Sequence, residues 1–168
     1  MPYKAIEIAN WFIYKIAESG DLATHLKIQK LLYFAEGWTQ VLLNRELFEE
    51  DMQAWAHGPA VPEVYQVFKG YGWNPLPVPK KKDLARINGD IKEVLADVLD
   101  AYGDYSAKRL EDLTHREDPW KDVRGEVAPE ARCEKVIPKS AIRKYYKAKY
   151  EINDEKSTKA KSTKAKNS

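Results

Sequence analysis

A single cysteine, Cys133, stands in the 168 residues. It excludes an internal disulfide and any zinc site made of cysteines alone. Histidine is almost as scarce, with only His25, His57 and His115. None of the four stands at metal-ligand spacing to another, and no H-E-x-x-H or paired-cysteine motif occurs. A glycine-rich phosphate loop, a G-x-S-x-G elbow and paired carboxylates in an apolar setting are missing as well. No apolar run approaches the roughly 18 residues of a membrane helix. The opening Met1-Pro2-Tyr3-Lys4-Ala5-Ile6-Glu7 carries an early acid and no long apolar stretch, unlike a signal peptide. These absences predict no catalytic residue, no cofactor, no metal and no membrane insertion, and they place the chain in a cytoplasm.

What is present fits a soluble domain with a real core. Apolar residues make up 43% and charged residues 32%, and the length predicts one domain. The formal net charge of +2 is unevenly spread. Residues 156–168 hold five lysines and no acid, so residues 1–155 carry −3. A mildly acidic body is not built as a phosphate-binding surface. Five tryptophans and ten tyrosines are the stickiest feature, because aromatic residues and arginine dominate interface hot spots.

Helical spacing of Ile6, Ala9, Phe12, Ile13 and Ile16 predicts a helix over 4–19, stopped by Gly20. Asp21 or Thr24 can cap the next helix, His25 to Leu43. Its stripe of Ile28, Leu31, Leu32, Ala35, Trp38 and Leu42, widened by Tyr33, Phe34 and Leu43, marks it as central. Lys27, Gln29, Lys30 and Glu36 are assigned to its remaining, polar arc. Gly37 inside it costs about 1 kcal/mol against alanine, which predicts close approach of a backbone or a large ring.

Asn44 to Asp51 reads as a polar link anchored by Leu47 and Phe48, and Met52 to Ala56 as a short strand. Pro62 and Glu63 suit the first turn of a helix ended by Gly70. Tyr71 to Gly89 reads as a loop, either a solvated connector or a partner-binding loop carrying Trp73. Asn88 or Asp90 can cap a helix to Tyr102, and Ser106 a shorter one through Leu113. Lys121 to Cys133 reads as irregular. Glu134 to Pro138 is the strand expected to pair with the Met52 segment. Ser140 is read as the cap of a last helix with Ile142, Tyr145, Tyr146 and Tyr150 on it. The sum is a mainly α fold, about six helices with at most a small two- or three-stranded β element, in residues 1–150. Residues 151–168, with Ser-Thr-Lys-Ala-Lys repeated, read as a disordered lysine-rich tail.

Between the central helix and the next lies Trp55-Ala56-His57-Gly58-Pro59-Ala60-Val61-Pro62-Glu63-Val64-Tyr65. Two prolines and a glycine in five residues force a sharp turn, flanked by two large aromatic side chains. Trp55, Gly58, Pro59, Pro62 and Tyr65 are read as a fixed corner, with scaffolding favoured over direct partner contact.

Three blocks in this order resemble a known family. They are Leu26-Lys27-Ile28-Gln29-Lys30-Leu31-Leu32-Tyr33-Phe34-Ala35-Glu36-Gly37-Trp38, the corner at 55–65, and Leu113-Thr114-His115-Arg116-Glu117-Asp118-Pro119-Trp120. Together they resemble the Panacea antitoxin domain, a Soc-type, phage-associated family, over about residues 4–150. Ala60 departs from the valine expected after Gly-Pro. The resemblance implies a mostly helical fold and an antitoxin encoded beside its toxin. It also implies neutralisation by direct contact with toxins of several classes. Among those are alarmone-synthetase-like enzymes that pyrophosphorylate tRNA, and small membrane-acting proteins. One branch of the family delivers its toxin to a protease as an adaptor.

The leading expectation is therefore a non-enzymatic antitoxin that occludes a cognate protein toxin, alone or as a homo- or hetero-oligomer. The expected contact residues are His57, Tyr71, Trp73, His115, Arg116 and Trp120. A nucleic-acid-binding regulator of its own operon, working weakly through the lysine tail, is a second class. A hydrolase built on His57, His115 and Cys133 is a third.

Overall fold

The computed structural model describes residues 2–152, with the backbone of the last helix followed to Lys166. Of the tail expected to be disordered over 151–168, the backbone is followed in α7 to Lys166, and no side chain beyond Ile152 is described. The helices are α1 (Ala5–Glu18), α2 (His25–Leu43), α3 (Pro62–Phe68), α4 (Gly89–Tyr102), α5 (Ala107–His115), α6 (Asp118–Arg124) and α7 (Lys139–Lys166). The strands are β1 (Met52–Trp55), β2 (Gly58–Ala60) and β3 (Val136–Ile137). The fold is mainly α with one small antiparallel sheet, as the pattern predicts.

The apolar stripe of α2 does make it the centre, although Leu42 in its last turn is exposed. Ile28, Leu31, Leu32, Tyr33, Phe34 and Ala35 are all fully buried, and α1, α3, α4, α5, α7 and β2 pack around the helix. The helix ends at Asn44, whose φ of 55° is the left-handed conformation that asparagine tolerates at a helix stop. Gly37 has the predicted reason: a Cβ there would lie 2.5 Å from the ring of Tyr146 on α7. Phe34 stacks on Tyr102 of α4 at 4.0 Å between ring centroids, and the Trp38 indole donates to the Tyr102 hydroxyl at 3.1 Å.

The polar arc of α2 corrects the sequence reading. Lys27, Gln29, Lys30 and Glu36 are buried rather than solvated. Each is turned inward because a backbone group waits for it. The Lys27 ammonium donates to the Gly103 carbonyl at 2.5 Å, and Lys30 to the Pro59 carbonyl at 2.8 Å. The Gln29 amide donates to Val61 O at 3.1 Å and accepts from Val61 N at 2.7 Å. Glu36 accepts from Leu47 N at 2.6 Å and faces the Lys139 ammonium at 3.1 Å. Burial raises the Glu36 carboxyl above its ordinary range, with Lys139 pulling it back. A helix that is apolar on one side and bonded to loop backbone on the other has little surface left.

The sheet runs β2-β1-β3. Met52 faces Ile137 and Gln53 faces Val136, so the expected pairing of these two segments holds. The corner itself is a β-hairpin, which the sequence reading did not foresee. Trp55 pairs with Gly58 across Ala56 and His57, and Ala54 with Pro59. Pro59 can belong to a strand because β2 lies at the sheet edge, where no second neighbour needs its missing N–H. Two further expectations need adjusting. Asp118–Arg124 is helical where an irregular segment was expected beyond Lys121, and α7 starts at Lys139, one residue before Ser140. Asp118-Pro119 was read as a turn, but proline in the first turn starts a helix equally well. Ser106 caps α5 as predicted, its hydroxyl accepting from Arg109 N at 3.1 Å.

Candidate functional site

The hairpin is fastened from two sides. On one, α2 supplies Gln29 and Lys30 as above. On the other, α6 supplies Trp120, whose indole donates to Trp55 O at 2.7 Å. It also supplies Arg124, buried and donating to Ala54 O at 2.8 Å. The other guanidinium nitrogen of Arg124 reaches Ala128 O at 2.5 Å and Ala131 O at 2.7 Å, gathering the 128–131 loop beneath the hairpin. Gly58 has φ +100°, and a Cβ there would meet Thr114 Oγ1 at 2.7 Å and Lys30 Cε at 2.9 Å. Only glycine satisfies both the left-handed turn position and the close approach.

Charge is concentrated behind the turn. Burial pushes the Lys30 ammonium down to about 7, with the Glu111 carboxylate opposing the shift. Glu111 on α5 is itself buried and stands 3.0 Å from His57 Nδ1 and 3.8 Å from His115 Nε2. Burial lowers the His115 imidazole, again against the pull of Glu111. A second buried carboxylate, Glu117 between α5 and α6, accepts from the hydroxyls of Tyr33 at 2.8 Å and Tyr146 at 2.6 Å. Burial raises it above the ordinary carboxylate range, and these bonds together with Lys149 restrain the shift.

Outward from these clamps runs a line of aromatic groups. Trp73 stacks on His25 with ring centroids 6.4 Å apart, and His25 meets Tyr65 at 5.9 Å. Tyr65 packs edge-on against Trp55 at 5.0 Å. Trp120 joins through the Trp55 carbonyl, and His115 lies flat on Trp120 at 4.0 Å. The line crosses from the loop after α3 to the α5–α6 turn.

The predicted contact residues distribute along it. Trp73 and Tyr71 lie exposed at one end. His57 projects from the hairpin tip with 69% of its side chain exposed. Arg116 is exposed where α5 ends. His115 is half-buried, and Trp120 is only 5% exposed. Trp55 and Tyr65 of the expected corner supply the middle rungs. His25, Lys30, Glu111 and Arg124 are not among the contact residues expected from the sequence. His25 alone had a local signal, an aromatic-capable side chain starting the central helix.

Beside the line is a depression of about 410 Å³ bordered by Trp55, His57, Tyr65, Glu130, Arg132 and Cys133. Cys133 is buried at its edge, whereas His115 turns away toward Glu111 and Trp120. Among the described residues no three His, Cys, Asp or Glu side chains are grouped so as to hold a metal ion. No helix among them is long and apolar enough to cross a membrane.

Residues 28–121 match the family model of the SocA-like antitoxins, the Panacea domain. The chain belongs to this family. It is 33% identical over 132 aligned positions to Antitoxin SocA of Caulobacter vibrioides (strain NA1000 / CB15N), an alignment covering 67% of this chain. That alignment spans 66% of the relative's own length, just under two thirds. No solved structure gives a significant match. The matched region contains α2 from Ile28 on, the hairpin and the Leu113–Trp120 turn, and so nearly all of the three blocks that carried the resemblance in the sequence.

Proposed function

We propose that this chain is an antitoxin that neutralises a cognate protein toxin, the product of a neighbouring gene, by binding it directly. The observation that carries the reading is the aromatic line from Trp73 to His115, its hairpin part fastened by buried polar clamps, in a member of an antitoxin family. Rigid aromatic side chains give large contact area at small entropic cost, which is what binding hot spots need. The acidic body favours a partner with a basic substrate groove, because complementary charge speeds encounter and fixes orientation. A tRNA-modifying, alarmone-synthetase-like enzyme is such a partner, and the domain would then block nucleotide or tRNA from its active site. His57, Tyr71, Trp73, His115, Arg116 and Trp120 are the proposed contact and support residues.

Co-expression tests this. The product of the adjacent gene is expected to arrest growth alone, and growth is expected to return with this chain present. A stable complex should be recovered by pull-down, with toxin levels unchanged and toxin activity lost. Falling toxin levels would instead mark a proteolytic adaptor. No rescue together with no complex would overturn the antitoxin reading.

A further inference from the structure

Residues 69–86 differ in charge from the rest of the body. They contain Lys69, Lys80, Lys81, Lys82 and Arg86 against the single acid Asp83, a net of +4, whereas the remainder of residues 1–155 carries −7. All five cations are exposed, and none pairs with an acid among the described residues. The connection is net positive in a body that is otherwise net negative; the stretch 139–149 is also basic, but its Lys139 and Lys149 face the buried Glu36 and Glu117.

The same connection carries an apolar surface. Trp73 is 73% exposed, the most of any large hydrophobic side chain described, and Tyr71, Val67 and Val78 are exposed with it. Leu76 N donates to Ala23 O at 2.8 Å, which brings the exposed Leu22 alongside. These five side chains are not scattered singly. Tyr71 and Trp73 follow the end of α3, Trp73 rests on His25 at the start of α2, and Leu22 adjoins the Leu76–Ala23 bond, so exposed apolar side chains come together where these elements meet, as at an interaction site.

The connection is also stiff. Pro75, Pro77 and Pro79 alternate with Leu76, which is buried, and Val78, which is not. Proline at every second position fixes φ and holds an extended rack. Trp73 is braced from beneath by the His25 ring. Further on, Asn88 N donates to the Tyr3 hydroxyl at 2.9 Å, so the segment runs back along α1 and displays its lysines beyond the apolar end.

We infer that this surface docks an acidic segment of a partner protein, one that seats apolar side chains on Leu22, Tyr71 and Trp73 and sets carboxylates against Lys80–Lys82. Two features favour protein over single-stranded nucleic acid. Leu22, Val67 and Val78 are aliphatic and offer nothing for a base to stack on. The surrounding body, at −7, repels a polyphosphate chain. The inference rests on the antitoxin reading only for the partner being a protein, and it adds that the contact is bipolar. The acidic body meets a basic region, and the 69–86 connection meets an acidic one. Opposed charges at separate places fix the orientation of a complex better than a single patch.

A display library of random short peptides tests it, selected on the full chain, on Trp73→Ala, and on the triple variant Lys80→Glu, Lys81→Glu, Lys82→Glu. Circular dichroism melting confirms that each variant is folded, and oligothymidine is the nucleic-acid probe. The selected peptides are expected to combine Asp or Glu with large apolar residues. Their affinity should fall about tenfold or more in Trp73→Ala, as a truncated hot spot does, and should weaken with salt. On the triple variant the selection should shift to basic peptides. Selection without acidic bias, or selection indifferent to both variants, would overturn the inference. So would salt-steep binding of oligothymidine that both variants abolish. The selection needs no toxin, so its failure is separate from failure of growth rescue.

Discussion

The Lys30 ammonium and the Pro59 carbonyl meet at 2.8 Å inside the protein, joining the central helix to the tip-forming strand of the hairpin. The lysine is 1% exposed. Burial brings it down to about 7 from the ordinary 10.5, and Glu111 is the acid that opposes this. Between these two values the unfolded chain holds a proton that the folded chain releases. Stability therefore rises with pH through this window, and the contribution is lost as pH falls through about 7. The expected slope approaches about 1.4 kcal/mol per pH unit for this one group. Lys30→Met removes it. Urea unfolding of parent and variant from pH 7 to 10 should show the parent gaining on the variant; parallel pH dependence would show that Lys30 is not depressed.

Glu117 is the hub of a different network. Both tyrosine hydroxyls, from Tyr33 and Tyr146, bond to the same carboxylate oxygen. Glu117→Gln keeps that oxygen as an acceptor and removes a charge that burial disfavours. Its expected cost is within about 1 kcal/mol. Glu117→Ala strands two buried hydroxyls and opens a cavity, for an expected loss of about 2–4 kcal/mol. Denaturant midpoints of the two variants decide, and equal losses would show that the charge, rather than the acceptor, matters.

Two glycines are predicted to fail for different reasons. At Gly37 the backbone is helical and only the Tyr146 ring blocks a methyl group. Gly37→Ala gains helix propensity but displaces that ring, and through it the Glu117 network. At Gly58 the φ of +100° is itself unfavourable to alanine, and Thr114 and Lys30 close the space. Gly58→Ala is expected to lose about 2 kcal/mol or more by combining strain with overpacking. Pairing Gly37→Ala with Tyr146→Leu should recover part of its loss, whereas no single neighbouring truncation should recover Gly58→Ala. Thermal melts of Gly37→Ala, Gly58→Ala, Gly37→Ala with Tyr146→Leu, and Gly58→Ala with Thr114→Ala check this.

How much of this was legible follows from what each residue answers to. The centrality of α2, a close approach at Gly37 and the pairing of Met52 with the 134–138 segment were readable, because apolar period and a costly glycine are local signals. The inward turn of Gln29, Lys30 and Glu36 was not. Their partners are the Val61 and Pro59 backbones and the Leu47 amide, which sequence spacing does not place beside α2. The hairpin was missed because Pro59 argues against a strand, and only its edge position permits one. The expected contact residues were named singly. That His25 bridges Trp73 to Tyr65, and Tyr65 in turn meets Trp55, depends on three elements converging.

Trp73 and Trp120, toward opposite ends of the aromatic line, separate contact from support. Trp120 is 5% exposed, holds the Trp55 carbonyl at 2.7 Å, and lies between His115 and the Arg124 guanidinium. Trp120→Ala should cost about 3–5 kcal/mol of stability, as removal of a buried aromatic does. It should weaken partner binding only by loosening the hairpin. Trp73 is mostly exposed and rests on one face of His25. Trp73→Ala should leave the unfolding midpoint within about 0.5 kcal/mol of the parent, the usual range for a surface change. If it lies in the contact, the same substitution should raise the dissociation constant for the neighbouring-gene toxin about thirtyfold or more, the hot-spot threshold of 2 kcal/mol. Calorimetric titration with melts run in parallel measures both quantities. Unchanged affinity in Trp73→Ala would move the toxin contact off this end of the line, leaving His57 and Arg116 as its exposed remainder.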